Sequence, residues 1–318
     1  MRILITGGAG FVGSHLSEKF IEEGHTVLCL DNLMNGNVAN IRHLFSRRNF
    51  KFINDDIRRK DTMSSLMVDL DAVVHLAAQI HVDRSIVEPQ MTYDVNVAGT
   101  QNILEAARMH DVEKVIYAST SEVYGTAQYA PIDEKHPLNA PHPYGASKIA
   151  ADRMCHAYNE TYGMNIAIVR PFNLYGPRQK DSGYGGAISI FIKRALNNLP
   201  PVIFGDGLQT RDYTYVTDIV EGYKIILNSP VNIDGPINFG TGKEIRIIDL
   251  AEKIIELTGN KMKPVFVHER PGEVRRLIAD ISKAKDLGWA PQVSINDGLC
   301  KLVDWYKNYR SEEWSKPA

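Results

Sequence analysis

A chain of 318 residues, 44% of them hydrophobic, is long enough to bury a large core and to carry one sizeable α/β unit with an appended lobe. Thirty-six basic and 38 acidic residues leave a net charge of −2, which excludes the strong basic field of a nucleic-acid binder or of a protein held on anionic lipid. Its three cysteines, Cys29, Cys155 and Cys300, are odd in number, widely spaced and without a CxxC pair, so neither a disulfide framework nor a metal site is expected, and buried reduced thiols are.

The first residues, MRILIT, enter an apolar strand directly, with no signal-type segment ahead of them. No apolar run is long enough to span a membrane, and a cytoplasmic location is expected. The strand runs into GGAGFVG, where Gly7, Gly10 and Gly13 precede the helical segment SHLSEKFIEEG. Glycines at that spacing permit a tight turn and let backbone N–H groups approach a pyrophosphate at the helix N-terminus. A second strand, TVLCL, leads to Asp31, about 20 residues on, where a carboxylate can accept hydrogen bonds from an adenosine ribose. It would also repel a 2′-phosphate, so NAD is favoured over NADP.

The next strand, KFIN, ends at Asp55 and Asp56, either of which could cap a helix. Asp56 with Ile57 could alternatively hold an adenine edge. DAVVHLAA is a fourth strand, and its small terminal side chains would let a dinucleotide lie across the sheet edge. After the long helical pattern YDVNVAGTQNILEAARMH comes the strand KVIYA, which delivers Ser119, Thr120, Ser121 and Glu122 at its end. PYGASKIAAD then places Tyr144 and Lys148 one helical turn apart on a shared face. A free phenol has a pKa of about 10, but a neighbouring ammonium and a positive nicotinamide ring would stabilise the phenolate. Tyr144 could then take a proton from a substrate hydroxyl as hydride leaves the same carbon.

NIAIVRPFN reads as a sixth strand, and GPRQKDSGYGG, from Gly176, as a loop leaving the sheet. The alternation of strands and helices predicts a Rossmann-type doubly wound parallel sheet, an α/β fold with a smaller C-terminal α/β lobe for substrate. Residues 1–176 form the expected dinucleotide-binding domain, with a returning segment near 213–240. The remainder, 177–318, is mainly the substrate lobe and includes the amphipathic helix RIIDLAEKIIELTG, with Ile247, Leu250, Ala251 and Ile254 on one face.

In order, GGAGFVG, DNL at 31–33, HLAA, STSEVYG, PYGASK, RPFNLYGPRQ, GDGLQTRDYTYV and RPGEVRR resemble the extended short-chain dehydrogenase/reductase family, in its nucleotide-sugar epimerases and dehydratases. The resemblance spans essentially the whole chain. It implies NAD contacts at Gly7, Gly10, Phe11, Val12, Gly13, Asp31, Asn32, Asp56, Ile57, Leu76, Ala77, Ala78, Gln79, Ser119 and Pro171. It makes Tyr144 the catalytic base, Lys148 the residue on the nicotinamide ribose, and Thr120 the hydroxyl that hydrogen-bonds the sugar O4. Asn173, Arg211 and Arg275 match positions that hold the nucleotide diphosphate, and Arg84 lies in HVDRSI, a stretch similar to one in deoxysugar-forming dehydratases. The same resemblance implies a homodimer built on the helices around 88–109 and 144–161.

Glu122 separates the reactions within that family. A 4-epimerase moves hydride off and back onto C4 and needs no further acid or base. A 4,6-dehydratase must also remove the C5 proton and expel the C6 hydroxyl, work that suits a carboxylate beside the tyrosine. Ser121 stands where some dehydratases carry Asp, and is a poor acid. The expected activity is therefore an NAD-dependent nucleotide-sugar 4,6-dehydratase, with a 4-epimerase as the alternative. A non-catalytic NAD-binding regulator on the same fold is the reading of a different class.

Overall fold

The computed structural model describes residues 1–181, 186–270 and 273–313, the last five by their backbone alone. Parts of two expected features, the loop from Gly176 and the RPGEVRR motif, therefore lie outside the described residues at 182–185 and 271–272.

The Rossmann half unfolds in chain order as β1 (Arg2–Thr6), α1 (Phe11–Glu22), β2 (Thr26–Leu30), β3 (Phe50–Ile53), α2 (Lys60–Leu66), β4 (Ala72–His75), α3 (Val82–Val87), α4 (Pro89–Tyr93), α5 (Gly99–Met109), β5 (Lys114–Ala118), α6 (Pro143–Tyr162) and β6 (Ile166–Pro171). The chain continues through β7 (Asn173–Tyr175), α7 (Ala187–Leu196), β8 (Val202–Phe204), β9 (Thr210–Arg211), β10 (Tyr213–Tyr215), α8 (Val216–Asn228), β11 (Pro236–Phe239), β12 (Ile245–Arg246), α9 (Ile247–Leu257), β13 (Val265–Val267), α10 (Ser282–Asp286) and α11 (Ile295–Glu313). Seven strands form one sheet in the order β11-β6-β5-β4-β1-β2-β3, every pairing parallel.

Both faces of the sheet are covered because the central strands carry apolar side chains at consecutive positions, and so on both faces. Ile3, Ile5, Val74, Ile116 and Val169 point into a core shared with Leu16 and Phe20 of α1 and Ile219 and Tyr223 of α8. Leu4, Val73, Val115, Tyr117 and Ile168 point into the opposite core, shared with Met63 of α2, Ile103 and Leu104 of α5, and Ala151 and Cys155 of α6. Each fully buried aliphatic or aromatic side chain stabilises the fold by roughly 1.5–3 kcal/mol. The first core runs on without a break into Phe191 of α7, Leu250 and Ile254 of α9, and Leu299 and Leu302 of α11. Within 213–240, β10 pairs with β7 outside the main sheet, while β11 joins it beside β6, Ile237 opposite Val169.

The structure revises several local expectations. The first helix starts at Phe11, three residues before SHLSEKF, because Gly10 is extended and serves as its N-cap, which brings Gly13 inside the helix. The single helix read from YDVNVAGTQNILEAARMH is three pieces: α4, a wider π-helical segment at Asp94–Ala98, and α5. Neither Asp55 nor Asp56 caps α2, whose N-cap is Arg59. Cys29 and Cys155 are buried thiols, but Cys300 is exposed on α11. None of the described helices is long and apolar enough to cross a membrane.

Candidate active site

The sheet order reverses between β1 and β4, and the crevice at their carboxyl ends is where an open α/β sheet binds its ligand. The two loops that leave these strands meet closely: a Cβ on Gly7, whose φ is +71°, would lie 2.8 Å from the Ala77 nitrogen. A Cβ on Gly13 would sit 2.2 Å from the Gly7 carbonyl oxygen, so the helix can approach the loop only through glycine. With no side chain capping α1, its first N–H groups face the crevice, suited to a diphosphate.

From there a groove of about 860 Å³ extends over the sheet edge. Its lining includes Gly7, Gly10, Phe11, Val12, Gly13, Asp31, Asn32, Asp56, Ile57, Leu76, Ala77, Ala78, Ser119, Tyr144, Lys148 and Pro171. Among the cofactor residues expected from sequence, Gln79 is the exception. It is fully buried behind the groove, its amide donating to Thr92 Oγ1 and the His81 carbonyl, because the loop after Ala78 turns its side chain inward.

The acidic end of the groove is braced by the backbone. Asp31 accepts from the N–H groups of Ala9, at 3.0 Å, and Leu33, at 2.8 Å. Burial raises its pKa against those hydrogen bonds. Asp56 accepts from Asn32 Nδ2 at 2.7 Å and pairs with Arg58 at 2.8 Å. Burial opposes ionisation there too, but Arg58 and Asn32 prevail and hold the Asp56 carboxyl at about 2. A nucleotide with free ribose hydroxyls fits this end; a 2′-phosphate does not.

Of the catalytic candidates, Tyr144 and Lys148 line the groove, and Thr120, Ser121 and Glu122 stand on the turn after β5. Thr120 begins a tight turn at Ser121–Val123, its Oγ1 accepting from the Glu122 N–H at 3.3 Å. Its hydroxyl also hydrogen-bonds the Tyr144 phenol. Ser121 is buried, with 2% of its surface exposed. Burial pushes the Tyr144 phenol above its ordinary range; the Thr120 bond opposes that rise and the nearby negative charge of Glu122 adds to it.

Lys148, expected as an ammonium beside the phenol, is buried together with it. Its Nζ donates to the Ala118 carbonyl and lies 4.3 Å from the centre of the Tyr117 ring. Burial draws its pKa down to about 7, although Cys155 and Asp152 work the other way. Burial thus works against the charged form of both the phenol and the amine.

Glu122 is in a different electrostatic state. Burial would raise its pKa, but a hydrogen bond from His142 and the positive charge of Arg211 together hold it below the usual carboxylate range. A carboxylate ready to accept a proton therefore faces a phenol that keeps its own.

The candidate substrate residues are arranged less uniformly. Arg211, buried at β9, gives one nitrogen to Glu273 at 2.7 Å and another to the Thr210 carbonyl at 2.9 Å. Arg275 makes a two-pronged pair with Asp206, at 3.0 and 3.1 Å, and is largely exposed. Arg84 pairs with Glu88 at 3.0 Å along its own helical turn. Asn173 leaves its side-chain oxygen buried without a partner, an unusual condition for a native polar atom and one that a ligand donor would relieve. Of these four, only Arg211 acts electrostatically on Glu122.

Sequence reasoning passed over the residues that hold the helix carrying Tyr144 and Lys148. Ser85 Oγ accepts the Tyr144 N–H at 3.0 Å, satisfying an orphan donor at the start of α6 from 59 residues away. Asp152, one turn beyond Lys148, is fully buried; it forms a two-pronged pair with Arg170 at 2.8 and 2.9 Å and accepts from Ser119. His142 caps α6. The one available signal was spacing: Asp152 lies four residues after Lys148. No group of three or more His, Cys, Asp or Glu able to hold a metal occurs among the described residues.

Comparison with known proteins agrees with this geometry. The sequence matches the family described as GDP-mannose 4,6 dehydratase over residues 4–302. It is 43% identical, over 96% of this chain and 98% of the relative, to a Methanocaldococcus jannaschii protein whose name as a UDP-glucose 4-epimerase is provisional. Among solved structures, a Thermotoga maritima UDP-glucose 4-epimerase with UDP-glucose is 35% identical, with a TM-score of 0.92 over 97% of this chain and 99% of that one. A Streptomyces venezuelae dTDP-glucose 4,6-dehydratase, DesIV, with NAD bound, is 33% identical, with a TM-score of 0.93 over 98% of both chains. Overall shape therefore does not separate an epimerase from a dehydratase.

Proposed function

The chain belongs to the NAD-dependent nucleotide-sugar epimerases and dehydratases of the extended short-chain dehydrogenase/reductase family, and on that footing we propose that it is a nucleotide-diphosphate-sugar 4,6-dehydratase working through a 4-keto intermediate. The observation that carries this reading is the Glu122 carboxylate, hydrogen-bonded by His142 at the head of α6 and close enough to Tyr144 to act on its phenol.

The glycine turn, Asp31 and Lys148 would hold NAD, which would supply the acceptor and later the donor of hydride and, by its positive ring, favour ionisation of the neighbouring phenol. Tyr144, steadied by the Thr120 hydroxyl, accepts the O4 proton as C4 becomes a ketone. That ketone acidifies the C5 hydrogen, and Glu122 removes it. With Ser121 buried and weakly acidic, Glu122 hands the same proton to the departing C6 oxygen, so the C6–O bond breaks with release of one water. A solvent proton then reaches C5, and C6 would take back the hydride that bound NAD supplies. Arg211, Arg275 and Asn173 are the proposed holders of the nucleotide diphosphate, and Arg84 a further substrate contact.

A 4-epimerase is the second reading, favoured by the names of the Methanocaldococcus and Thermotoga proteins. The two part at C5. Incubating the protein with uridine-, thymidine- and guanosine-diphosphate sugars in deuterated water and weighing the products distinguishes them. A dehydratase gives a product lighter by one water with deuterium at C5; an epimerase gives an isomer of unchanged mass without it. Glu122→Gln should stop dehydration yet still accumulate the near-ultraviolet absorbance of reduced nicotinamide.

A homodimer is also proposed. Val87, Tyr93 and Tyr162, which flank α4 and end α6, expose 78%, 54% and 52% of their surfaces, and a shallow apolar hollow between these helices is lined by Pro89, Tyr93, Val97 and Pro143. Light scattering at micromolar concentration should return twice the chain mass.

A further inference from the structure

His142 occupies the N-cap of α6, a position usually taken by Ser, Thr, Asp or Asn. Its Nδ1 accepts the Gly145 N–H at 3.0 Å, which satisfies one orphan donor of the helix. A nitrogen that accepts carries no hydrogen, so in a neutral ring the hydrogen is on Nε2. Nε2 lies 3.3 Å from Glu122 Oε2 and is therefore the donor in that contact. The cap fixes the tautomer, and the tautomer fixes which group His142 can serve.

The ring has no freedom to do otherwise. Only 3% of the His142 side chain is exposed, and its plane lies 16° from that of the Tyr144 ring, with centres 6.0 Å apart. Gly145 makes the room: a Cβ there would come within 3.2 Å of His142 Cε1 and 2.4 Å of Ala140 Cβ. Taking a second proton would fill the Nδ1 lone pair and cost the helix its cap. His142 is thus built to donate to Glu122 and not to exchange protons with it. Among the described residues Oε1 of Glu122 accepts no protein hydrogen bond, so donation to Oε2 leaves the other oxygen for chemistry.

We propose that His142 is a positioning residue for the reaction: it holds the Glu122 carboxylate ionised and in one orientation, and through the helix cap ties that orientation to the start of the helix that carries Tyr144 and Lys148. This rests on Glu122 being the C5 base. The charged and titratable groups acting on Glu122 are His142 at the head of α6, Arg211 on β9 and Tyr144 within α6. Arg211 is engaged by Glu273 and the phenol is neutral, so the hydrogen bond from His142 is the direct contact that orients the carboxylate.

The test uses His142→Ser and His142→Asn, both of which can cap α6 while neither presents an imidazole N–H to Glu122. Two variants with retained melting temperature are unnecessary; one is enough. In wild type labelled with ¹⁵N-histidine, the resonance absent from the variant should report the Nε2–H tautomer at neutral pH. A ¹³C-glutamate signal assigned by its loss in Glu122→Gln should titrate about one pH unit higher in the His142 variant. With whichever donor sugar is turned over, the acid limb of kcat/KM should rise by the same amount, and kcat/KM at neutral pH should fall about 10- to 100-fold. Glu122→Gln combined with His142→Ser should be no worse than Glu122→Gln alone. An Nδ1–H tautomer, or an unmoved Glu122 titration, overturns the role of His142 and leaves the dehydratase reading standing. Full activity in Glu122→Gln overturns both, and is recognised by that variant alone.

Discussion

The two ends of the active-site crevice are built in contrasting ways. At the adenine end, carboxylates are held in part by neighbours close along the chain, Asp31 by the N–H of Leu33 and Asp56 by Arg58, with Ala9 and Asn32 adding bonds from more than 20 residues away. The steric demands there fall on glycines packed against backbone, such as Gly13 against Gly7. At the sugar end, side chains hold side chains across the chain: Arg211 meets Glu273, and Arg275 meets Asp206, each more than 60 residues distant. A cofactor that does not vary can be met by a rigid, local turn. A substrate pocket is assembled from pieces that can be exchanged one at a time, which is why near-identical folds serve different reactions.

Tyr144 stands where the two ends meet, and its loss should be the most damaging. Tyr144→Phe keeps the ring and its packing but removes the proton acceptor. Turnover should fall by about 10²–10⁴ while NAD stays bound, as read by denaturing the purified variant and assaying the released nucleotide. Loss of NAD as well would mean that the tyrosine belongs to the cofactor end alone.

Gly13→Ala should strike the cofactor end selectively. The added methyl meets the Gly7 carbonyl and the Gly8 backbone, so the turn must open, at a cost of roughly 1–3 kcal/mol, and NAD should no longer copurify. Denaturant unfolding and nucleotide release check both. An unchanged NAD content would show that the turn is looser than its packing indicates.

Lys148 sharpens the comparison through pH. Its pKa falls to about 7 in the fold from an ordinary value of 10.5. Between these values the unfolded chain holds a proton that the folded protein has released, so the contribution of this site to stability rises with pH across that window and is least favourable below about 7. Lys148→Met removes the buried charge. Its melting temperature should exceed that of wild type most at the acid edge of the window, and the gap should close towards the alkaline edge. A gap independent of pH would exclude a depressed pKa.

The smallest change is expected at the rim of the sugar end. Because Arg275 and Asp206 are both exposed, Arg275→Gln should leave the melting temperature where it is. If the arginine leaves Asp206 to bind the diphosphate, KM for the nucleotide sugar should rise about tenfold with little change in kcat. An unaltered KM would remove Arg275 from the substrate site.

Much of this was legible in the residues themselves. The alternation of strands and helices, the glycine turn, Asp31 at the end of β2 and the Tyr144–Lys148 spacing are local patterns: each depends on the period of one element or on a few consecutive backbone angles, and each places its residues on the groove. The misreadings were local as well. Gln79 follows three residues that do line the groove, yet the turn reverses its side chain, and nothing in HLAAQ marks that reversal.

What tertiary structure alone decided is the electrostatic environment and orientation of the candidate catalytic groups. Spacing offered Lys148 as an ammonium beside a phenol; burial under the Ala118 carbonyl lowers its pKa and raises that of Tyr144. Glu122 was visible as a carboxylate near the tyrosine, but its ionised state depends on Arg211 from a distant strand and on His142 at a helix cap. Sequence by itself determined which chemical groups enter the crevice, because strand and helix periods are set by neighbouring residues. Their charge states are set by desolvation and by partners far along the chain, and those exist only once the sheet, the catalytic helix and the C-terminal lobe have packed together.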